Sequence, residues 1–508
     1  MDTVMLGGAT LRPEDVALVA REDAIVELSP DAHTKIERSW AQIQSLSESG
    51  NPVYGVSTGF GALSTTRIER DRWTTLQQSL VLSHAAGMGP AVEREVVRAM
   101  MLLRARTLAL GYSGVHPRTI AAIIGLLNAG ITPVVPEYGS LGASGDLAPL
   151  AHFSLALLGQ GEVFDVDGSL RPAAEALQRA GLEPITLGPK EGLSLINGTD
   201  GMLGMLSMAC LDLLRLCRTA DIAAAMSVEA LLGTDAAFDA AVQALRPHEG
   251  QRTSAANLTR LMSGSAIVAS HRENDDRVQD AYSMRCAPQV VGAARDVLEY
   301  ARGVAQIELG SAVDNPSVLD DGRLVSNGNF HGIPLGFATD FMAIAAAEVG
   351  AIAERRVDRL LDVTRSMGLP AFLGDSPGLD SGLMIAQYTA AALVAENRRL
   401  AAPASVDSIP TSGMQEDHVS MGWSAARKLR RSLENLTRIL TVELLCSARA
   451  LVLRAPLEPA PATAAVTALI DPRPGPDRSP AHELATVAGL VDSGAVLRAA
   501  EQAIGALE

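Results

Sequence analysis

A mainly α-helical fold with a long central helical bundle is predicted by three features of the 508-residue sequence. Aromatic residues make up only 3% of it, while Ala and Leu abound. Apolar residues recur at helical spacing over residues 204–232, 291–309, 337–361, 381–400 and 423–454, where strong helix formers dominate. Strand-like alternation is confined to two short candidates, residues 133–137 and 162–167.

These elements divide the chain into three expected regions. Residues 1–200 mix short helices with Gly-rich loops. Residues 201–455 carry the long helices, which are long enough for a bundle. Residues 456–508 begin with a Pro-rich link (Pro456, Pro459, Pro461, then Pro472, Pro474, Pro476) and end in a short helix. Residues 120–135 read as a buried helix leading toward the Gly-rich loop at 139–145. The polar stretch 246–254 reads as a surface loop.

The composition excludes several classes. With 47% hydrophobic and 20% charged residues the chain is globular and not disordered. A net charge of −16 argues against nucleic acid or an anionic membrane as partner. The apolar run at 120–135 is too short to span a bilayer. No basic stretch precedes an apolar one at the N-terminus, so no signal peptide is expected. The four cysteines, Cys210, Cys217, Cys286 and Cys446, form no Cys-x-x-Cys pair and no zinc pattern. Free thiols fit a reducing compartment, and the expected location is the cytoplasm.

The most informative segment is Gly139-Ser140-Leu141-Gly142-Ala143-Ser144-Gly145-Asp146. Its centre, Ala143-Ser144-Gly145, has the composition for an internal cyclisation. The Gly145 nitrogen would attack the Ala143 carbonyl carbon, and a five-membered ring would close with loss of water. Ser144 would then lose its hydroxyl to leave an exocyclic methylene. Gly145 has no Cβ and so allows close approach and unusual dihedrals. A planar amide nitrogen is a poor nucleophile, so the fold must compress the turn.

This segment resembles the signature of the ammonia-lyase family that carries the 4-methylidene-imidazol-5-one (MIO) group, which includes histidine, phenylalanine and tyrosine ammonia-lyases and related aminomutases. The likeness runs from about Tyr54 to past Gly422, and its features are nearest to the bacterial histidine-specific branch. It implies the ammonia-lyase/fumarase-like helical fold, an MIO group made from Ala143, Ser144 and Gly145, no external cofactor or metal, and a homotetramer whose active sites draw on more than one subunit.

Ammonia elimination needs an electrophile for the amine, a base for the β-proton, a cation for the carboxylate and a pocket for the side chain. The base candidates are Tyr54, Tyr282 and Glu416. Tyr54 lies in Val53-Tyr54-Gly55-Val56-Ser57-Thr58-Gly59-Phe60-Gly61, which resembles the family's lid loop. A tyrosine becomes a base only where a positive field favours phenolate. Arg285 offers a planar fork to a carboxylate. The steps of three in Gln279-x-x-Tyr282-x-x-Arg285 put these groups on one helical face or along one tight segment. The resemblance implies that Asn197 lies by the ring or the amine and that Phe330 packs beside the ring. Gln279, Asn315 and Gln415 are expected to add polar contacts to the substrate.

The pocket decides the substrate. His84 in Ser83-His84-Ala85-Ala86-Gly87, together with Gln415-Glu416-Asp417-His418, matches the histidine-specific branch. Imidazole carries a donor and an acceptor, so polar partners such as His84 and Glu416 suit it. A phenyl-specific pocket avoids burying a lone carboxylate. The expected reaction is therefore conversion of histidine to urocanate. Its rivals are a tyrosine or phenylalanine lyase, an aminomutase on the same scaffold, and an inactive helical binding scaffold. Asp417 and His418 follow Glu416, but neighbours on a helix do not converge on a metal, and none is expected.

Overall fold

A computed structural model describes residues 2–48, 53–273, 275, 277–473 and 475–508. Met1 and Pro474, which fall in segments discussed above, lie outside the described residues. The five long helical stretches appear as Asp200–Ala230, Ala287–Gly310, Ile333–Leu361, Met384–Leu400 and Gly422–Val452. Strands are few and short. Thr3–Leu6 pairs in parallel with Ile25–Leu28, and Met88–Ala91 pairs antiparallel with Pro136–Tyr138. Thr132–Pro133, Glu162–Phe164 and Leu170–Pro172 form a small antiparallel sheet.

The chain forms two compact units, each built from three separated stretches. The first comprises Met1–Cys210, Ala301–Asp340 and Pro403–Arg427; the second comprises Leu211–Tyr300, Phe341–Ala402 and Lys428–Glu508. This differs from the consecutive division expected at residues 200 and 455, because four of the long helices contribute residues to both units.

Within the first unit, the helix Arg94–Ala109 is buried from Val96 to Ala109. Three arginines lie in that buried stretch, and each donates to backbone carbonyls of other segments. Arg98 donates to the carbonyls of Val19 and Leu127 at 3.0 and 3.1 Å. Arg104 donates to those of Asn197 and Val313, both at 2.9 Å. Arg106 donates to Ser311 and Glu308. A guanidinium has five donors in a fixed fork, so one side chain can bind several chain segments at once.

In the second unit, two helices approach closely where Glu249–Leu261 meets Ala287–Gly310. A Cβ on Gly250 would overlap the Gly292 carbonyl, so the crossing needs glycine. Arg356 and Glu443, both fully buried, form a forked ion pair, with Nη2 at 3.0 Å from Oε2. The Ser227 hydroxyl adds a donor to Oε1 at 2.7 Å.

Three expectations change. Most of the stretch 246–254 is helical, because the helix Glu249–Leu261 turns its apolar residues Ala255, Leu258 and Leu261 inward. The stretch 120–135 is the second part of the helix Pro117–Asn128, then a Gly130 turn and a strand. Among the described residues the C-terminal region holds three helices, Pro461–Ile470, Pro480–Asp492 and Ala495–Ile504, the first two starting on a proline, a position that tolerates a missing N–H. Among the described residues one helix, Ile333–Leu361, is long and apolar enough to cross a membrane by length and composition alone. More than half of its most apolar stretch is buried, as in a core helix.

The Arg356–Glu443 pair gives a direct test. Arg356→Met leaves a buried carboxylate unpaired and should lower the unfolding free energy by about 3–5 kcal/mol. Arg356→Met with Glu443→Leu should recover most of that loss. Urea unfolding of the three proteins side by side measures both.

Candidate active site

The turn at Ala143-Ser144-Gly145 has an unusual backbone. Ser144 takes φ +50° and Gly145 φ +84°, and Gly142 before them takes +81°. A positive φ is disfavoured for residues with a Cβ, so Ser144 is held there by its surroundings. Gly142 and Gly145 bridge each other, and Gly145 also pairs with Gly198. The Asp146 N–H donates to the Gly198 carbonyl at 2.7 Å. A Cβ on Gly145 would run into that carbonyl, and one on Gly142 into the Ser420 hydroxyl. The turn is therefore clamped from both sides by backbone and small side chains. Such a clamp fits the compression that cyclisation requires.

Asp146 is fully buried and anchors the turn. Its carboxylate accepts the N–H groups of Gly201 and Met202, both at 3.0 Å, and the Ser140 hydroxyl at 3.2 Å. Burial pushes its pKa up to about 7, against the pull of those donors.

Ser144 lines a cavity of about 140 Å³ within the first unit, together with Tyr54, His84, Asn197, Asn315 and Glu416. Apolar walls come from Leu80, Leu147, Leu193 and Ile196. The Tyr54 hydroxyl accepts from the Gly61 N–H at 3.4 Å. Its pKa is raised, first by burial and further by the negative charge of Glu416. The His84 pKa is lowered by burial, which favours the neutral ring, and its Nδ1 lies 3.1 Å from the Ser83 hydroxyl. Thr411 and Glu416 pair through their backbones, and the Thr411 hydroxyl donates to Glu416 Oε2 at 2.9 Å. This pairing turns Glu416 inward. Gln415 beside it is exposed and does not line the cavity. Phe330, half-buried in a turn, does not line it either.

The segment 411–421 is not a continuous helix, contrary to the premise used above for Asp417 and His418. It is one 3₁₀ turn followed by irregular chain. His418 instead stacks on His331, with ring centroids 5.4 Å apart.

Residues that the sequence reasoning passed over hold the cavity wall. Lys190, fully buried at φ +68°, donates to the Ser113 carbonyl, the Ser194 hydroxyl and Asp314 Oδ2 at 3.0, 2.8 and 2.7 Å. Burial pulls its pKa down, and Asp314 pulls it back up. Gln77 accepts from the N–H groups of Gly192 and Leu193 and donates to the Gly55 carbonyl, tying the Tyr54 turn to the helix Glu191–Ile196. Glu191 accepts from Thr119, His116 and Gly188. The available signal was a Lys-Glu pair inside the otherwise uncharged run from Leu187 to Thr199: charges in such a run must be paired if they are buried.

Gln279, Tyr282 and Arg285 belong to the second unit, where they line a different cavity of about 320 Å³. Tyr282–Arg285 is a single helical turn preceded by Gln279, the tight-segment alternative. The Arg285 guanidinium lies over the Tyr282 ring at 4.8 Å, and its Nε is buried without a hydrogen-bond partner. Tyr282 itself is 71% exposed. Arg277, Arg359 and Arg365 also line this cavity. Arg277 pairs with Asp275 and Asp280, and Arg365 with Asp358 and Asp362.

Comparison with known proteins gives the family. The model of the aromatic amino acid lyase family matches residues 11–472. The chain belongs to the aromatic amino acid lyase family. It is 56% identical to a histidine ammonia-lyase of Streptomyces avermitilis and 50% identical to one of Gloeobacter violaceus, over all of this chain and at least 99% of each relative. Among solved structures, tyrosine aminomutase from Streptomyces globisporus superposes with a TM-score of 0.93 at 40% identity, covering 99% of both chains. Histidine ammonia-lyase from Trypanosoma cruzi gives 0.90 at 39% identity, covering 99% of this chain and 95% of the other.

In this lyase the segment carrying His84 is also pinned from behind. The Gly87 N–H donates to His152 Nε2 at 2.9 Å. Burial lowers the His152 pKa from 6.5, so the native state favours the neutral ring that can accept this bond. That contribution is full above the ordinary histidine value and is lost as pH falls through the lower native value. Melting temperature should therefore drop more steeply between about pH 7 and pH 5 in the wild type than in His152→Gln, which cannot titrate. Parallel slopes for the two proteins would refute this.

Proposed function

We propose that this chain is a histidine ammonia-lyase that removes ammonia from L-histidine to leave urocanate. The observation that carries the reading is that Glu416 and His84, whose pKa burial lowers, line the same cavity as Ser144. The relatives named histidine ammonia-lyase, at 45–56% identity, support it. A neutral imidazole and a carboxylate together offer the donor and acceptor that a histidine side chain needs, whereas a phenyl ring would leave both unmatched.

Ala143, Ser144 and Gly145 would form the MIO group, with Asn197 and Gly198 against it, and once formed it supplies an electrophile for the substrate amine. The Gly142 and Gly145 positions, where a Cβ would meet Ser420 and Gly198, fit that compact ring, and Asn197 Oδ1, buried without a hydrogen-bond donor, is left to accept from the substrate amine. Glu416 accepts the β-proton. Tyr54, whose raised pKa keeps it protonated, donates a hydrogen bond and is not the base in this surrounding. The apolar walls of Leu80, Leu147, Leu193 and Ile196 exclude water from the proton transfer.

A substrate carboxylate needs a cation, and none lines the cavity around Ser144 among the described residues. Arg285 is such a cation in the second unit, with Tyr282 and Gln279 beside it. In our reading these three residues come from a neighbouring subunit of a homotetramer. Exposed apolar side chains on the long helices, Ile307, Ile344, Ile385 and Tyr388, are the surface that such an assembly would cover. We place the enzyme in the cytoplasm, in keeping with its four free thiols.

A second reading, an aminomutase, is favoured by the likeness to tyrosine aminomutase. Product analysis separates the two. Incubation with histidine should release urocanate, followed by its ultraviolet absorbance. Tyrosine and phenylalanine should give neither an unsaturated acid nor a β-amino acid.

Two variants test the assigned roles. Ser144→Ala should remain folded, lose turnover, and keep the full mass of its chain, whereas the wild type should lack the mass of two waters. Glu416→Gln should lower kcat for histidine by about 10²- to 10⁴-fold, the usual range for a general base. Unchanged histidine kinetics in Glu416→Gln would remove Glu416 from the mechanism.

A further inference from the structure

Asn197 is 2% exposed and lies at the end of the helix Glu191–Ile196. Its side-chain amide has two different ends, and the orientation decides whether the cavity meets a donor or an acceptor. The nitrogen is fully committed. Nδ2 donates to the Asn315 carbonyl at 2.8 Å and toward Asp314 Oδ1 at 3.4 Å. Only Oδ1 remains, and it has no donor.

The committed end depends on one carboxylate. Asp314 Oδ1 accepts from the Asn315 N–H at 2.7 Å as well as from Asn197. Asp314 Oδ2 accepts from Lys190 and from the Ser194 hydroxyl at 3.0 Å. A buried carboxylate is costly unless it is paired and hydrogen-bonded, and Lys190 supplies the charge. Lys190 in turn is held by Ser113 and Ser194. Arg104 fixes the two neighbouring backbones by donating to the Asn197 and Val313 carbonyls. The carboxylate therefore faces only donors, and an amide nitrogen, not an amide oxygen, is the end that can face it.

We infer that the buried Lys190–Asp314 pair is a positioning element that locks the Asn197 amide so that its oxygen is kept for the substrate's amino group. The inference rests on the proposed amino acid substrate and adds a specific residue set to it. Neither Lys190 nor Asp314 lines the cavity; they act through Asn197. An amide turned the other way would point N–H groups at an amine and leave the amine's own N–H bonds unmet, a loss felt by the amine and not by the ring or the carboxylate of the substrate.

The test compares L-histidine with 3-(imidazol-4-yl)propanoate, which keeps the ring and carboxylate but lacks the amine. Lys190→Met with Asp314→Asn removes both charges, so no unpaired ion is buried. In this double variant kcat/KM for histidine should fall by about 10- to 100-fold, the worth of a hydrogen bond to a charged group. The inhibition constant of the propanoate should stay within about threefold, since it makes no use of Asn197 Oδ1. Ser194→Ala, which removes one donor to Asp314 and keeps both charges, should show the same split at smaller amplitude and serves if the double variant does not fold. Equal losses for both ligands would mean that the pair merely supports the wall, and unchanged histidine kinetics would mean that it does not orient Asn197. Either result overturns the inference. Wild-type turnover of histidine checks the substrate separately: if another amino acid is the substrate, the same comparison is made with that acid and its deaminated analogue.

Discussion

The contact between Gly198 and the Gly145-Asp146 peptide is the constraint on which the rest of the site depends. The Gly198 carbonyl accepts the Asp146 N–H and occupies the space where a side chain on Gly145 would go. Ser144 is thereby held at a positive φ that an ordinary serine would leave. Asp146, one residue on, holds the N–H groups of Gly201 and Met202, the first turn of the helix Asp200–Ala230. A strained turn and the start of a long rigid helix are thus one hydrogen-bonded object. Strain persists only where the surroundings over-determine it, and a 31-residue helix is a firm support.

The same logic explains why a helical protein with few aromatics buries so many charges. Apolar packing supplies cohesion, but it does not choose among loop conformations. Arg104, Lys190 and Glu191 do choose, because each holds carbonyls, N–H groups or hydroxyls from several segments. Buried ions seldom add net stability over an apolar replacement. Here they fix the relative placement of the 188–200 and 311–316 segments, from which Asn197 and Asn315 enter the cavity. Stability in this unit comes from the buried apolar residues of Arg94–Ala109 and its neighbours; definition of the site comes from the ions.

Much of this was legible in the sequence, for identifiable reasons. Long helices announce themselves through periodicity, and all five were found with boundaries displaced by a few residues. The strained turn at Ala143-Ser144-Gly145 was legible because the cyclisation proposed for it dictates its residue types. The helix Glu249–Leu261 was missed because its polar residues outweigh a narrow apolar stripe. Lys190 and Asp314 were missed because a charged residue reads as solvated until its partner, 124 positions away, is known. Gln415 illustrates another limit. The family motif put it in the site with Glu416, but the backbone pairing of Thr411 with Glu416 sends adjacent side chains to different surroundings.

The two cavities differ in charge in a way that bears on how such a lyase works. Around Ser144 the only charged side chain among the described lining residues is Glu416, with His84 held neutral. Around Tyr282 the lining carries four arginines, of which Arg277 and Arg365 are matched by aspartates. An amino acid brings an amine, a carboxylate and a side chain, and no single field suits all three. A negative site favours the amine and repels the carboxylate; a positive one does the reverse. Supplying the cation from a neighbouring subunit, as we propose, lets the carboxylate be held from the side of the substrate opposite Glu416. It also makes the enzyme's activity a property of the assembly, so dilution or an interface mutation remote from Ser144 would act on carboxylate binding first.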